Sequence, residues 1–227
     1  LKLKQGYGFG GTVAVNAEST IAVGTKGVGA CSANVTAKLE GLVATDESGK
    51  ALPIDPTATI ELKASYDPAG QATVERCEIH AGTIAVSARG GADITKRTFS
   101  DSVVKVDADL DDVARKVASF MDLGFSFGGK VHVDAKLEGS GDVAKATSTV
   151  DVTQLRLTGF QGKNLGPIEL KLTQSGTIDM RAGGRSTLES FRLVSGIVDI
   201  DARAEATDVM AVKNVAGSAT FTVKAYP

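Results

Sequence analysis

The sequence predicts a mainly β fold built from two tandem repeats of antiparallel strands, with one short amphipathic helix between them. Apolar and polar residues alternate through most of the chain, as in TVAVNA and TIELKAS, which is typical of strands with one dry and one wet face. The phrase YGFGGTVAVNA (7–17) returns as FSFGGKVHVDA (125–135). Val, Ala, Ile and Leu supply most of the apolar content beside 26 Gly and no Trp, which suits thin strands joined by tight turns.

The repeat extends well beyond its opening phrase. TVERCEIHAGTIAVSAR (73–89) aligns with TLESFRLVSGIVDIDAR (187–203), and IELK occurs at 60–63 and again at 168–171. The spacing between matching segments varies, so we place the insertions in loops. We expect a duplicated supersecondary unit, with repeat one at about 7–108, a connecting helix at 109–121 and repeat two at about 125–227.

The strands follow one another at the short spacing of an antiparallel meander, and we count roughly fourteen. Turn signals such as DPAGQ, ARGGA, EGSGD and RAGG separate them. At the start of each repeat the Gly-Gly pair predicts a tight or bulged entry, after an aromatic residue that packs at the junction. In chain order the clearest strands are TVAVNA, TIELKAS, TIAVSA, SVVKVDADL, KVHVDAKL, PIELKLT, IVDIDARA and SATFTVKA.

One segment, DLDDVARKVASFM (109–121), has helical periodicity instead. Asp109 is the predicted N-cap, and Asp111 and Asp112 lie in the first turn, where the helix dipole favours negative charge. We expect the apolar side of this helix to plug one end of a curved sheet. The plug residues are Leu110, Val113, Val117, Phe120 and Met121.

Composition and charge exclude several classes of protein. The net charge of −2 is spread along the chain without a basic stripe, so nucleic acid is not an expected partner. No apolar run has the length of a transmembrane helix. The chain begins LKLKQG, which is neither an initiator Met nor a signal peptide, so we expect one continuous elongated β domain from a longer protein.

Catalytic and metal-binding motifs are also missing from the sequence. It has no Gly-x-Ser-x-Gly elbow, and its two histidines, His80 and His132, cannot make a metal site alone. We therefore predict no enzyme activity, no catalytic residues, no metal and no cofactor. Cys31 and Cys77 allow one disulfide or two free thiols, and Cys77 aligns with Phe191, which predicts an inward-facing position.

The helix followed by FSFGGKVHVDAKLEGSGD, and then by VDVTQLRLTGFQGKNLGPIELKLTQSGTIDM, resembles the periplasmic repeats of AsmA-like and TamB-like envelope proteins. The resemblance implies a long sheet curled into an open trough, polar outside and apolar inside, through which lipids pass between membranes. It also implies a place in the periplasm of the bacterial cell envelope and a role in outer-membrane biogenesis. The membrane anchor is not in this chain, so we expect membrane contact only through parts outside it.

The apolar residues of the strands fit two arrangements. In a closed sandwich they pack against one another, whereas in a trough they line a groove. Large side chains are few for so many strands, which favours the trough, because a thick sandwich without them is hard to fill. The predicted groove-lining residues are Val13, Val15, Ile60, Leu62, Ile84, Val86, Val131, Val133, Ile168, Leu170, Val198 and Ile200.

We expect a lipid-binding or lipid-transfer segment of a bacterial envelope protein, which shields acyl chains in an aliphatic groove. The expected partners are a phospholipid or another acyl lipid, together with neighbouring repeats of the same protein or an envelope partner. The alternative is a structural or interaction β module, adhesin-like or an outer-membrane assembly factor, with a closed core and no ligand.

Overall fold

The structure is a computed structural model that describes residues 2–3, 6–24, 27–179, 181–207 and 216–226. These residues form one α-helix, α1 (Leu110–Phe120), and fourteen strands. The strands of the first half are β1 (Lys2–Leu3), β2 (Gly8–Gly24), β3 (Gly27–Thr45), β4 (Thr57–Tyr66), β5 (Gln71–Ala81), β6 (Ile84–Asp93) and β7 (Thr98–Asp109). Those of the second half are β8 (Met121–Asp122), β9 (Ser126–Ser140), β10 (Val143–Phe160), β11 (Lys163–Asp179), β12 (Arg185–Ser195), β13 (Val198–Thr207) and β14 (Ala216–Ala225).

Twelve strands form one antiparallel sheet in which each pairs with its neighbour in the sequence, from β2 at one edge to β14 at the other. The chain leaves this order once, between β7 and β9, where α1 and β8 are inserted and β8 pairs with β1. The sheet is open, because β2 and β14 do not pair with each other in the described part of the chain. The predicted mainly β fold, one long antiparallel sheet with a single short helix, is confirmed.

The two halves of the sheet bulge at equivalent places. Gly11 and Gly129 each lie opposite two residues of the next strand, as the Gly-Gly pairs predict. A second bulge follows Val74 in β5 and Leu188 in β12, so that Cys77 and Phe191 take equivalent positions, as aligned. The IELK match is wrong by four residues, because Ile60 corresponds to Leu172 and not to Ile168 when the pairs are counted from the bulges at Gly11 and Gly129.

Helix α1 begins and ends where the sequence predicts. The Asp109 carboxylate accepts hydrogen bonds from the backbone N–H groups of Asp111, at 2.9 Å, and Asp112, at 3.2 Å, as an N-cap does. After Phe120 the backbone becomes extended at Met121.

The C-terminal end of this helix contacts the start of β2, the edge strand of the first half of the sheet. The Tyr7 hydroxyl donates to the Phe120 carbonyl at 2.7 Å, and the Phe9 ring stacks on the Phe120 ring at 6.2 Å. A flat sheet would separate β7 from β2 by about 24 Å, whereas an eleven-residue helix is about 16 Å long. The sheet therefore curls, and the helix lies over its rim.

The protein has almost no conventional core. The buried apolar residues of the described chain are Ala44, Ala114 and Ala144 alone. The accessible surface is 14,497 Å², against about 9,700 Å² expected for a globular monomer of this mass. A closed sandwich would bury its inner faces, so the open sheet excludes that arrangement for the described residues.

Candidate functional site

One row of aliphatic side chains crosses the whole sheet. Residues paired directly across antiparallel strands point to the same face, so the pairing register defines such rows. One row takes a single residue from each of the twelve strands, and none of the twelve is polar. Over eleven strand spacings it is about 53 Å long. This central row consists of Val15, Ala37, Ile60, Ile79, Val86, Val106, Val133, Val150, Leu172, Leu193, Ile200 and Val223.

The rows on either side extend the same face, which we call the apolar face. It has no charged side chain in the central row or in the two rows that flank it. Toward the helix the flanking row runs through Val13, Leu39, Ala58, Ala81, Ile84, Ala108, Val131, Val152, Leu170 and Ser195. On the other side it runs through Ala17, Val35, Leu62, Cys77, Ala88, Val104, Ala135, Ser148, Gln174, Phe191, Ala202 and Phe221.

All twelve predicted groove-lining residues lie on the apolar face. Ile168 and Val198 extend it beyond Leu170 and Ile200, two residues along their strands. Seven of the twelve residues of the central row were not predicted: Ala37, Ile79, Val106, Val150, Leu172, Leu193 and Val223. The alternation around four of them is visible in the sequence, in EIHA, VVKVD, TVDV and TFTV.

The apolar face is open to solvent along its length. Val15 is 62% exposed at one edge of the sheet and Val223 is 56% exposed at the other. Between β4 and β7 small side chains form the floor of a shallow depression of about 350 Å³, beside the ring of Phe99. These small residues are Ala64, Ala72, Val74, Ala88, Gly90 and Ala92.

The opposite face, the polar face, carries ion pairs between neighbouring strands. Lys63 lies 2.5 Å from Glu75, and Lys171 lies 3.4 Å from Asp151. Exposed pairs of this kind stabilise a fold by less than about 1 kcal/mol each. These ion pairs lie on the side of the sheet opposite the central row.

His132 links the two halves of the polar face. Its Nδ1 lies 2.6 Å from Asp107 of β7 and its Nε2 lies 2.7 Å from Asp134 of its own strand. The hydrogen bonds to Asp107 and then to Asp134 raise the pKa of His132. Lys105 lies 3.4 Å from Asp134. The β7–β9 pair is where the two halves of the sheet join, so this cluster spans the junction.

A second charged cluster holds α1 at the rim. Lys116 is 17% exposed and lies 2.5 Å from Asp55 in the β3–β4 loop, and it also contacts Asp112. Asp112 accepts a hydrogen bond from Thr83 of the β5–β6 turn at 2.8 Å. Burial lowers the pKa of Lys116, but its bonds to Asp112 and Asp55 raise that pKa by more than burial lowers it. The pKa of Lys116 therefore lies above its ordinary value. Lys116 first, and then Thr83, lower the pKa of Asp112.

The predicted plug residues of the helix are half-buried, and they lie at the rim between the two halves. Phe120 packs against Tyr7 and Phe9 of the first opening phrase. In the second opening phrase Phe125 and Phe127 are 6.4 Å apart, the same centroid distance as Tyr7 and Phe9. The five plug residues, all of intermediate exposure, are Leu110, Val113, Val117, Phe120 and Met121.

The possible disulfide between Cys31 and Cys77 does not form. Both thiols are free, and both lie on the apolar face. Cys31 pairs with Tyr66 and Cys77 pairs with Leu62, so β4 lies between them and they are also four residues apart along it. Two strand spacings alone measure about 9.5 Å, beyond the roughly 7 Å between Cα atoms that a disulfide can bridge.

The chain matches no protein-family model, no curated protein and no solved structure. Its resemblance to AsmA-like and TamB-like repeats therefore stays a prediction. Within the described residues there is no group of three or more His, Cys, Asp or Glu side chains placed to hold a metal ion. In the same part of the chain, no helix combines the length and the hydrophobicity needed to span a membrane.

Proposed function

We propose that the apolar face binds acyl chains along the central row. The observation that supports this most directly is that all twelve residues of the row are aliphatic and lie on an open face. Monomeric soluble proteins rarely expose contiguous apolar patches of more than a few hundred Å², and larger ones mark interaction sites. The row is also far longer than any acyl chain of a membrane lipid.

The hydrophobic effect is sufficient to hold such a ligand. Each buried methylene contributes about 0.8 kcal/mol, so eight methylenes against the row contribute about 6 kcal/mol before the cost of association is subtracted. Aliphatic side chains impose little direction on a hydrocarbon chain. Binding of this kind accepts different acyl chains and allows movement along the groove.

Lipid transfer between membranes of a bacterial envelope is the corresponding role, supported by the resemblance to AsmA-like and TamB-like repeats. The apolar face has no charged residue near the central row to hold a phosphate. The proposal therefore includes little selectivity for the charged head group, which stays in water at the rim.

The competing function is an interaction module, whose apolar face is covered by another protein. The observation in its favour is that β2 and β14 leave unpaired edges in the described chain, and such edges can pair with other strands. In the first function a lipid fills the groove, and in the second another protein covers it. Mass spectrometry distinguishes the two by the mass of what is bound.

Native mass spectrometry of protein prepared without detergent and incubated with phosphatidylglycerol vesicles tests the proposal. The informative variants change adjacent residues of β10. Val150 belongs to the central row, between Val133 and Leu172, while Thr149 lies on the polar face opposite Asp134. A lysine at position 150 brings a charge into the path of the acyl chain, whereas one at position 149 points to water beside a carboxylate.

We expect lipid-bound masses for the wild-type protein, at least a tenfold loss for Val150→Lys and no change for Thr149→Lys. Circular dichroism checks that both variants fold. Wild-type protein that stays free of lipid after incubation would contradict the proposal. Masses of protein dimers in place of lipid-bound monomers would support the interaction module.

A further inference from the structure

Two uncharged polar side chains interrupt the apolar face on adjacent strands. Ser148 of β10 and Gln174 of β11 pair directly across the strands, in the row next to the central row. Within the described part of the chain neither side chain hydrogen-bonds to another protein group; Ser148 is half-buried and Gln174 is exposed. Among the other serines of the same face, Ser102, Ser186 and Ser195 have hydroxyls that bond to backbone groups, whereas Ser19 at the β2 edge has no such bond to the described residues.

The surroundings of this pair are apolar. Ala135 and Phe191 are the cross-strand neighbours on the two outer sides, and the strands continue through alternate residues on the same face. No charged side chain belongs to these positions. The remaining neighbours along β10 and β11 are Ala146, Val150, Leu172 and Gly176.

The equivalent positions of the first repeat carry apolar side chains. Counting from the shared bulges, Ser148 and Gln174 correspond to Val35 of β3 and Leu62 of β4, which also pair across the strands. The next residue of the row is Cys77 in one half and Phe191 in the other. The same backbone framework thus carries a fully apolar site in repeat one and a hydrogen-bonding site in repeat two.

We propose that Ser148 and Gln174 bind the ester carbonyl of a glycerolipid whose acyl chain lies on the central row. This inference rests on the proposed function. The Ser148 hydroxyl and the Gln174 amide N–H₂ are donors, and an ester carbonyl is an acceptor with two lone pairs. A carboxylate or a phosphate is the poorer fit, because no cation lies on this face to compensate its charge.

The position of the pair suits this ligand. Successive rows are two residues apart along a strand, so the pair lies about 7 Å from the central row. Once an acyl chain covers the face and excludes water, an amide without a partner is costly. A lipid that brings a carbonyl to this place removes that cost, whereas a pure hydrocarbon does not.

Comparing a diester lipid with a diether lipid separates the contribution of the ester carbonyl from that of the acyl chains. The probes are dioleoylphosphatidylglycerol and its di-O-oleyl ether analogue, which has the same chains and head group but no carbonyl. Both are offered together in mixed vesicles, and native mass spectrometry of the recovered protein measures their ratio. We expect the wild-type protein to prefer the diester about tenfold, the effect of one to two hydrogen bonds.

The repeat supplies matched variants. Ser148→Val with Gln174→Leu installs the residues of repeat one, so the backbone accommodates them, and we expect both lipids to bind without preference. Adding Val35→Ser and Leu62→Gln to that variant moves the polar pair into repeat one, and the preference for the diester should return. Thermal melts verify that each variant folds.

Three results would overturn the inference. Equal loading of diester and diether by the wild-type protein contradicts it and leaves acyl-chain binding intact. A diester preference that persists in Ser148→Val with Gln174→Leu assigns the selectivity to other residues. Absence of both lipids from the wild-type protein overturns the proposed function and this inference together.

Discussion

Gly11 and Gly129 occupy the same bulge in the two halves of the sheet. Their φ angles are +147° and +123°, in the region that favours glycine. Each opposes two residues of the next strand, and the first of these has positive φ in both halves, Gly41 at +60° and Gln154 at +53°. A duplicated backbone irregularity of this kind is structural support for a duplicated unit.

Gly129→Ala should therefore destabilise the protein strongly. An added Cβ would lie 2.6 Å from the Thr153 carbonyl oxygen and 2.9 Å from that of Gln154, and backbone atoms cannot move aside without disturbing the sheet. With the strained φ we expect a loss of about 3 kcal/mol in the free energy of unfolding. Urea denaturation measures it.

Substitutions at two other glycines serve as controls for this measurement. Gly11→Ala should cost less, about 1–2 kcal/mol, because the nearest obstacle to its Cβ is the flexible end of Leu42. Gly141→Ala, where φ is +67° and the added Cβ meets nothing within 4 Å, should cost only about 1 kcal/mol. Equal losses at positions 129 and 141 would show that the bulge imposes no steric constraint.

Removing the Lys116 ammonium should loosen the helix from the rim. In Lys116→Met the carboxylates of Asp55 and Asp112 lose their shared cation in a half-buried place, and we expect a loss of about 2 kcal/mol. Arg115→Met is the matched control, since Arg115 is 67% exposed and also contacts Asp112. It should change stability by less than about 1 kcal/mol.

Hydrogen exchange of the helix amides locates this effect. We expect faster exchange across residues 110–120 in Lys116→Met, with the amides of β10 and β11 unchanged. If both variants exchange equally, the cluster does not hold the helix in place.

The stability of the β7–β9 junction should fall as the pH rises. Because Asp107 and then Asp134 raise the pKa of His132, the imidazolium contributes fully below its ordinary pKa of about 6.5. This contribution is lost as the pH rises through the elevated pKa of the folded protein. His132 is 41% exposed, so after solvent screening we expect only about 0.5 kcal/mol.

Urea midpoints at pH 5.5 and pH 9 measure this change, and His132→Asn should reduce the difference between them. NMR titration of His132 in a His80→Gln background, which leaves one imidazole, gives its pKa directly. A value at or below 6.5 would contradict the bracketing of the ring by two carboxylates. High salt should weaken the effect, as it does for exposed charges.

Several features of this protein were determined by the sequence alone, because they depend on local periodicity. Alternation with a period of two placed Val15, Ile60 and Val133 on one face, and a period of 3.6 identified the helix after Asp109. The Gly-Gly pairs predicted the bulges, since glycine relieves the steric limit on φ within a few residues. The repeat of the opening phrase predicted two similar halves.

Cross-strand neighbours were decided only by the tertiary structure. Which residue faces which depends on register, and register is set by turns and bulges that the alternation does not encode. A shift of four residues preserves the face, so the IELK match looked correct although it was out of register. For the same reason the separation of Cys31 from Cys77, the contact of Asp107 with His132 and the pairing of Ser148 with Gln174 were not visible in the sequence. Whether the sheet closes depends on curvature summed over twelve strands, a property that no single segment carries.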